Sequence, residues 1–393
     1  MNDTDIISAP VRLSGRVDTN NAEQVQKELI DALDRAPGNN GDIVIDAEEL
    51  DYISSAGLRV LMKLSKSTGR KLRVINVSRN VYDIFETTGF TEIFDIQKAY
   101  RKLSVEGCEI IGRGFYGTVY RTDPETIVKV YKSPESLSMI NNEKRLAKTA
   151  LVAGVPTAIS YDVVRVGDSF GSVFELLNAK SFNDLLTEAR DDPDPVIKQY
   201  AEFLRLVNSQ TVPEGKLASA KEIFLGYTET AAKYISHDLY ERVKTMISEI
   251  PDQLNVVHGD AQMKNVMLRD GEPMLIDMDT LSAGHPIFDL QSVYVTYDAF
   301  CEDDEDSSLK FLGYPSELSR YVWKKFVGYY FGTEDEARIS ELRDKIEIVG
   351  CIRFLFLVDT ITEHDTELFG LRVKHTAERL ERLAGKTGTL LFG

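Results

Sequence analysis

Apolar and polar positions along the first hundred residues follow two periods. Val11-Arg12-Leu13 reads as a short strand ending at Gly15; Ile43-Val44-Ile45, Leu72-Arg73-Val74-Ile75 and residues 93–96 read as three more. Between them, residues 20–35 place Val25, Leu29, Ile30 and Leu33 at helical spacing and stop before Pro37-Gly38. Residues 55–67 do the same with Leu58, Leu61, Met62 and Leu64, and residues 81–88 form a third helix ended by Gly89. Periods near two and near 3.6 mark strands and amphipathic helices. Their alternation predicts a small α/β sandwich over residues 1–100, with helices covering one sheet.

The pattern changes after a short charged stretch, residues 97–107, where a boundary is expected. Ile110-Ile111 and Val119-Tyr120 flank a Gly-rich turn, and Ile127-Val128-Lys129-Val130-Tyr131 is an apolar strand with one Lys at its centre. Residues 171–177 read as a buried strand running into a connector, with Ser181 as N-cap of a helix over 182–190. Val266-Met267-Leu268 and Met274-Leu275-Ile276 predict a hairpin around Asp270-Gly271-Glu272. Residues 193–250 and 291–385 are mainly helical by spacing. The longest apolar run, residues 346–361, is interrupted by Arg353 and Asp359 and is too short for a membrane span.

Composition narrows the class. A chain of 393 residues with 43% hydrophobic content builds two or three cored domains. A formal charge of −17 disfavours nucleic acid and anionic membranes as partners. Residues 1–100 hold 12 Lys/Arg against 16 Asp/Glu, which leaves −13 of that charge on the remainder. This mildly favours a cationic or neutral small molecule. The run Glu302-Asp303-Asp304-Glu305-Asp306 is either solvated surface or a lure for such a cation. Cys108, Cys301 and Cys351 form no metal or redox spacing, and the N-terminus lacks a signal-peptide layout, so a cytoplasmic protein is expected.

Candidate chemistry clusters at Val257-His258-Gly259-Asp260-Ala261-Gln262-Met263-Lys264-Asn265 and Leu275-Ile276-Asp277-Met278-Asp279. The hairpin between them can converge carboxylate and amide oxygens on one point, which suits a hard cation such as Mg²⁺ and leaves a carboxylate as base. Upstream, Gly112, Gly114 and Gly117 form GxGxxG followed by a strand, which argues against a dinucleotide-binding turn. Lys129 either snorkels to an edge or holds phosphates beneath the glycine flap. Glu143 is either its partner or an exposed helix residue. The connector after Glu175 is where an adenine edge would be read. Ser54 or Ser55, opening a helix, is either an N-cap or a phosphorylation site.

Asp51-Tyr52-Ile53-Ser54-Ser55-Ala56-Gly57-Leu58 resembles the strand-to-helix turn of the STAS domain of anti-sigma factor antagonists. In that family the turn reads Asp-Ser-Ser/Thr-Gly-Leu and its first Ser is phosphorylated. That Ser matches Ser55, and Ser54 replaces the preceding Asp. The resemblance implies a protein partner for this domain.

From residue 104 the order of flap, strand Lys, helix Glu, His258-Gly259-Asp260, Asn265 and Ile276-Asp277-Met278-Asp279 resembles the aminoglycoside phosphotransferase and choline kinase superfamily. That resemblance implies a two-lobed protein kinase-like fold, with a small lobe over about 104–177 and a helical large lobe over about 178–393. It also implies ATP and Mg²⁺, with Asp260 as catalytic base and Asn265 and Asp277 as metal ligands. Lys129, fixed by Glu143, would sit on the α/β-phosphates. His258 is expected to brace the loop, Asp279 to be a solvated neighbour or second metal contact, and Asp289 to brace a helix start. Lys264 would approach the γ-phosphate or be exposed. Leu206-Val207-Asn208-Ser209, in place of the family's Leu-His, and His285, in place of a frequent Asp, depart from the pattern.

Three functions remain open. The first is an ATP- and Mg²⁺-dependent phosphotransferase to a small-molecule hydroxyl, of the amino sugar or amino alcohol class, regulated by the STAS domain. The second is a signalling protein whose kinase-like part phosphorylates Ser54 or Ser55. The third, a nucleotide-binding pseudoenzyme, is disfavoured because every expected catalytic residue is present.

Overall fold

The computed structural model describes residues 10–34, 42–114, 117–133, 136–176 and 179–392. Residue 35, Pro37-Gly38, residues 115 and 116 within the GxGxxG stretch and residue 177, all inside spans read above, lie outside the described residues. The chain divides into two compact units: residues 1–104 with 163–168, and residues 105–162 with 169–393.

In the first unit, β1 (Val11–Arg12), β3 (Ile43–Asp46), β5 (Leu72–Val77) and β6 (Asp95–Lys98) form a parallel sheet in the order β1-β3-β5-β6. Two strands were not foreseen. Gly15, read as the end of a strand, instead opens β2 (Gly15–Val17), which pairs in parallel with β4 (Leu50–Ile53). The left-handed backbone of Gly15 (φ 66°) turns the chain from β1 into β2. β4 is marked only by Leu50 and Ile53, both buried, around the exposed Asp51.

The helices α1 (Ala22–Asp34), α2 (Ser55–Thr68) and α3 (Arg79–Thr87) cover this unit. Leu29 of α1, Leu58 and Leu61 of α2 and Phe85 of α3 join Ile45 and Val74 in one core. Gly57 is demanded by packing: a Cβ there would lie 2.7 Å from Ile53 and 2.8 Å from Val17 side-chain carbons.

The second unit begins with antiparallel strands Glu109–Arg113, Gly117–Asp123, Thr126–Tyr131 and Ser169–Glu175, each paired with the next. The flap's first strand is more exposed than its apolar letters suggest, with Ile110 and Ile111 41% and 44% accessible. Only the third flap glycine is forced by the protein itself. A Cβ on Gly117 would sit 2.4 Å from the Val130 carbonyl, whereas those on Gly112 and Gly114 would meet nothing closer than 3.7 Å. The helix Leu137–Val152 follows and buries Ile140, Glu143, Leu146 and Ala147.

The remainder is mainly helical around a second core that includes Tyr200, Phe288, Phe326 and Ile352. Within it lies the hairpin Val266–Arg269 and Glu272–Leu275, turned by Asp270 (φ 52°) and Gly271 (φ 85°). Two positive φ angles give the tight turn that matches strand twist. The run 346–361 belongs to the helix Glu336–Ile361 and packs its apolar face into this core. No helix among the described residues is long and apolar enough to cross a membrane.

Candidate active site

The hairpin fixes the site because both of its ends carry functional side chains. Ahead of it, residues 263–265 form one turn of 3₁₀ helix, and Asn265 N–H closes on Gln262 O (2.8 Å). Behind it, Ile276 N–H donates to Asn265 O (2.9 Å), so the two ends are tied together. Asp277 then adopts φ 64°, ψ 65°. A non-glycine residue in that region is strained by about 1 kcal/mol or more, a cost met at functional turns.

The loop 258–260 is held from every side. His258 is fully buried; its Nε2 lies 3.1 Å from Ile276 O and its Nδ1 accepts the Asp260 N–H at 3.3 Å. These partners assign the neutral tautomer with the proton on Nε2 and make His258 a brace. Gly259 takes φ 84°, and a Cβ there would lie 3.0 Å from Thr280 O, so only glycine fits. Its N–H donates to Asp289 Oδ1 (2.9 Å), while Asp289 Oδ2 accepts from Asn208 Nδ2 (2.7 Å). Asp289 therefore holds the Asp260 loop itself as well as opening the helix Ile287–Tyr294. Asn208, part of the apparent departure at 206–209, is a buried junction that also donates to Val256 O (3.0 Å) and accepts from Tyr330 (2.9 Å).

Further braces carry no local sequence signal. Thr280 Oγ1 donates to His258 O (2.7 Å), Tyr200 donates to Ala261 O, and Tyr297 accepts the Met263 N–H (2.8 Å). Each tyrosine comes from a helical segment distant in sequence, so nothing near the motif announces it.

Asp260 Oδ2 accepts from Gln262 Nε2 (2.9 Å) and Asn265 Nδ2 (3.0 Å), which leaves Oδ1 as the basic oxygen. Burial raises the Asp260 carboxyl, against the Gln262 hydrogen bond and the charge of Arg353, which pull it down. A carboxylate shifted upward is a stronger base for a hydroxyl proton.

Lys129 and Glu143 meet as an ion pair: Lys129 Nζ lies 3.2 Å from Glu143 Oε1 and 2.6 Å from Asp277 Oδ1. Glu143 is buried and also accepts from Tyr131 OH (2.5 Å), so it is not an exposed helix residue. Burial would lower the Lys129 amine, but the Glu143 and Asp277 carboxylates outweigh it and raise it, keeping the lysine charged. The Asn265 nitrogen is committed to Asp260 O and Oδ2, which turns its Oδ1 toward other partners. That amide oxygen and the Asp277 carboxylate are two hard donors, the set Mg²⁺ takes when phosphates and water complete its shell. Among the described residues no group of three or more His, Cys, Asp or Glu forms a protein-only cage.

Other expected residues stand elsewhere. Glu175 lines the same cleft, yet its carboxylate pairs with Arg269 (3.2 Å). Lys264 is half-buried, donates to Phe311 O and lies 4.3 Å over the Phe311 ring. Asp279 is half-buried. Burial and the charge of Asp277 push its carboxyl up to about 6. His285 is buried, and desolvation pushes its imidazole down to about 4. The acidic run 302–306 is largely surface, as one of the two readings expected: Glu302, Glu305 and Asp306 are exposed, and three of its five carboxylates have partners. Asp303 pairs with His375 (2.5 Å), Glu302 with Arg379 (2.9 Å) and Asp304 with Lys310 (3.6 Å). Ser54 Oγ accepts from Ala56 N (3.2 Å) and Gly57 N (3.4 Å) as the N-cap of α2, while Ser55 is exposed.

Two cavities are linked through the Asn265–Asp260 hydrogen bond, one lined by Asn265 and the other by Asp260. A cleft of about 720 Å³ is lined by Gly112, Gly114, Lys129, Phe174, Asn265 and Asp277. A second, of about 440 Å³, is lined by Asp260, Gln262, Gln291, Phe300, Arg353 and Arg372 among others.

Residues 107–313 match the family model "Phosphotransferase enzyme family". The chain belongs to that family. Residues 4–103 match the STAS domain model. This phosphotransferase is 37% identical over 87 residues to the Bordetella bronchiseptica protein BtrV, whose name assigns it to the anti-sigma factor antagonists; the match covers 21% of this chain and 72% of BtrV. Among solved structures, a choline/ethanolamine kinase family protein from Mesorhizobium loti is 14% identical with a TM-score of 0.45, covering 71% of this chain and 88% of that one. The ADP-bound aminoglycoside phosphotransferase APH(2'')-Ib is 16% identical with a TM-score of 0.45, covering 77% and 98%. At such scores the fold rests on the family match and on the sheet, flap and hairpin described above.

Proposed function

We propose that the second unit transfers the γ-phosphoryl group of ATP, with Mg²⁺, to a hydroxyl of a small molecule. What carries the proposal is the junction of the two cavities. Asn265 and Asp277 face the 720 Å³ cleft with Lys129, Asp260 faces the 440 Å³ cavity, and the Asn265–Asp260 hydrogen bond of 3.0 Å joins them. A nucleotide in the first space would present its terminal phosphate to an acceptor in the second.

In this assignment the strand Lys129, steadied by Glu143, holds the α/β-phosphates, and Gly112, Gly114 and Gly117 let the flap approach them. The base would lie near Glu175 at the end of its strand. Asn265 Oδ1 and Asp277 would hold Mg²⁺, which would neutralise the phosphate oxygens. Asp260 Oδ1 orients the acceptor hydroxyl. Its oxygen bonds to the γ-phosphorus, the bond from that phosphorus to the ADP oxygen breaks, and the hydroxyl proton passes to Asp260. Such chemistry needs placement and charge balance more than covalent help. An acceptor of the amino sugar or amino alcohol class would need a counter-charge beyond the base, and in the acidic run suggested for that Glu302, Asp303 and Asp304 already have partners.

A second use of the same transfer is supported by the STAS turn. Ser54 is occupied as a cap, so exposed Ser55 is the hydroxyl open to phosphorylation, in cis or trans, and to a regulatory partner protein. Three unpaired cysteines suit a reducing, cytoplasmic setting.

The test is a screen of hydroxyl compounds with the full chain and Mg-ATP. It reads ADP release and small-molecule phosphate ester, with intact-protein mass in parallel. Acceptor-dependent ester on an unmodified chain supports the first use. A phosphate on the protein that Ser55→Ala abolishes supports the second. ATP turnover that yields neither product sinks both.

A further inference from the structure

The 440 Å³ cavity beside Asp260 has a charge pattern opposite to that of the whole chain. Asp260 is its single carboxylate, and that group is occupied with the reacting hydroxyl. Two guanidinium groups, Arg353 and Arg372, also line it. Neither makes an ion pair among the described residues. Arg353, from the helix Glu336–Ile361, lies over the Tyr227 ring at 4.7 Å and the Phe356 ring at 5.5 Å. Arg372, from the helix Glu367–Lys386, is 7% exposed and lies over Phe300 at 5.1 Å and Phe354 at 6.0 Å, and its buried Nε has no hydrogen-bond partner.

Burying a cation with neither counter-ion nor full hydrogen bonding is costly, and aromatic faces offset only part of that cost. The cost falls on Arg372, since Arg353 is half-buried and acts on Asp260, and the acids nearest Arg372 do not relieve it. Asp303 and Asp304 act on Arg372 through space, yet Asp303 engages His375 and Asp304 engages Lys310. Aromatic stacking also fixes the guanidinium planes, which suits forked recognition of an oxyanion. The rest of the wall offers Gln291, Ser292 and Thr296 for neutral hydrogen bonds and Leu357 and Ile361 as apolar surface.

We propose that the acceptor is an anionic alcohol: a small molecule that offers its hydroxyl to Asp260 and carries a carboxylate or phosphate group bound by Arg353 and Arg372. The inference rests on the phosphotransfer assignment of Asp260 given above. An ammonium-bearing acceptor would set its charge against two arginines.

The test uses matched probes of one skeleton with the full chain: 4-(hydroxymethyl)benzoate, 4-(hydroxymethyl)phenyl phosphate, benzyl alcohol and 4-(aminomethyl)benzyl alcohol. Gluconate, glucose 6-phosphate, glucose and glucosamine form a second, polar set. Calorimetric titration in the presence of Mg²⁺ and a non-hydrolysable ATP analogue gives affinities, and ADP release gives kcat/KM. The anionic members should bind about tenfold or more tighter than their amine counterparts. The carboxylate and phosphate arms distinguish the two oxyanions. Arg372→Met should raise the KM for the preferred anionic probe about tenfold or more while kcat changes less. Arg353→Glu should shift the anion-to-amine ratio of kcat/KM toward the amine. Equal or reversed ranking, or no binding by any anionic probe, overturns the anionic acceptor and leaves the phosphotransferase standing. ADP release that no hydroxyl compound stimulates and that survives Asp260→Asn overturns the phosphotransfer assignment beneath it.

Discussion

Replacing Glu143 by Gln removes one of the two carboxylates that hold Lys129 and preserves the size of the side chain. Lys129 Nζ lies 3.2 Å from Glu143 and 2.6 Å from Asp277, with 19% of the lysine and 11% of the glutamate side chain exposed. A unit-charge pair at that separation is worth roughly 5 kcal/mol of Coulomb energy at an effective dielectric of about 20, before desolvation is subtracted. Losing one partner of a buried pair costs about 3–5 kcal/mol when the survivor is stranded. Lys129 is not stranded here, because Asp277 remains, and the amide can still accept from Tyr131. The stability loss should therefore be about 1–2 kcal/mol, the net worth of a charge-assisted hydrogen bond. The larger effect falls on the nucleotide. Without Glu143 pulling against it, Lys129 settles on Asp277 and occupies the carboxylate assigned to the cation. A bias of about 1.5–3 kcal/mol toward that closed pair raises the KM for ATP about 10- to 100-fold. Initial rates over a range of ATP concentrations, with thermal unfolding in parallel, measure both terms. A KM for ATP within about twofold of the parent, accompanied by the stability loss, would refute the reasoning and leave Glu143 a packing partner only.

His285 should make the second unit acid-sensitive. Its folded pKa of about 4 lies below the usual 6.5, so the unfolded chain takes up the proton first. The stability tied to the neutral ring is whole above about pH 6.5 and is lost as pH falls toward 4, amounting to about 3 kcal/mol. His285→Asn, which retains an acceptor for the Ile287 N–H now bound at 3.2 Å, should flatten the dependence of Tm on pH across that window; an unaltered slope contradicts this. In the STAS unit, Ser54→Ala should cost about 1 kcal/mol in urea melts, as loss of an N-cap, whereas Ser55→Ala should leave the midpoint unchanged. The opposite ranking would move the cap to Ser55.

The parts of the site that were legible in the sequence are those whose geometry is local. Gly112 to Gly117, Lys129, Glu143 and the residues 258–277 lie on consecutive strands, one helix and one hairpin, so spacing along the chain carries their arrangement. Of the braces, His258 was legible and Asp289 was read only as bracing its own helix start; the contacts that reach the loop from a distance were not legible. Asn208, Tyr200, Tyr297 and Asp289 meet the loop only because helices far apart in sequence pack together. Asn208 looked like a departure from a pattern until its four hydrogen bonds to Val256, Asp289, Tyr330 and Asn255 gave it a role. In the acidic run 302–306 the exposure was legible but the partners were not, since His375 and Arg379, which meet Asp303 and Glu302, come from the helix Glu367–Lys386. Within the first unit, β2 and β4 escaped notice because Gly15-Arg16-Val17 and Leu50-Asp51-Tyr52-Ile53 are short and broken by charged residues, unlike the apolar run of β3.

The most direct measurement is the rate of acceptor-dependent ADP release by Asp260→Asn. The two donors to Asp260 Oδ2, Gln262 at 2.9 Å and Asn265 at 3.0 Å, can both be kept by an amide oxygen, so the loop should hold its shape. The amide nitrogen then replaces Oδ1, and it cannot accept a proton. Loss of a positioned base predicts a fall in kcat of about 10²- to 10⁴-fold, with the KM for ATP nearly unchanged. A variant that turns over its acceptor at the parent rate would contradict the assignment of Asp260 as the base and, with it, the account of how this site works.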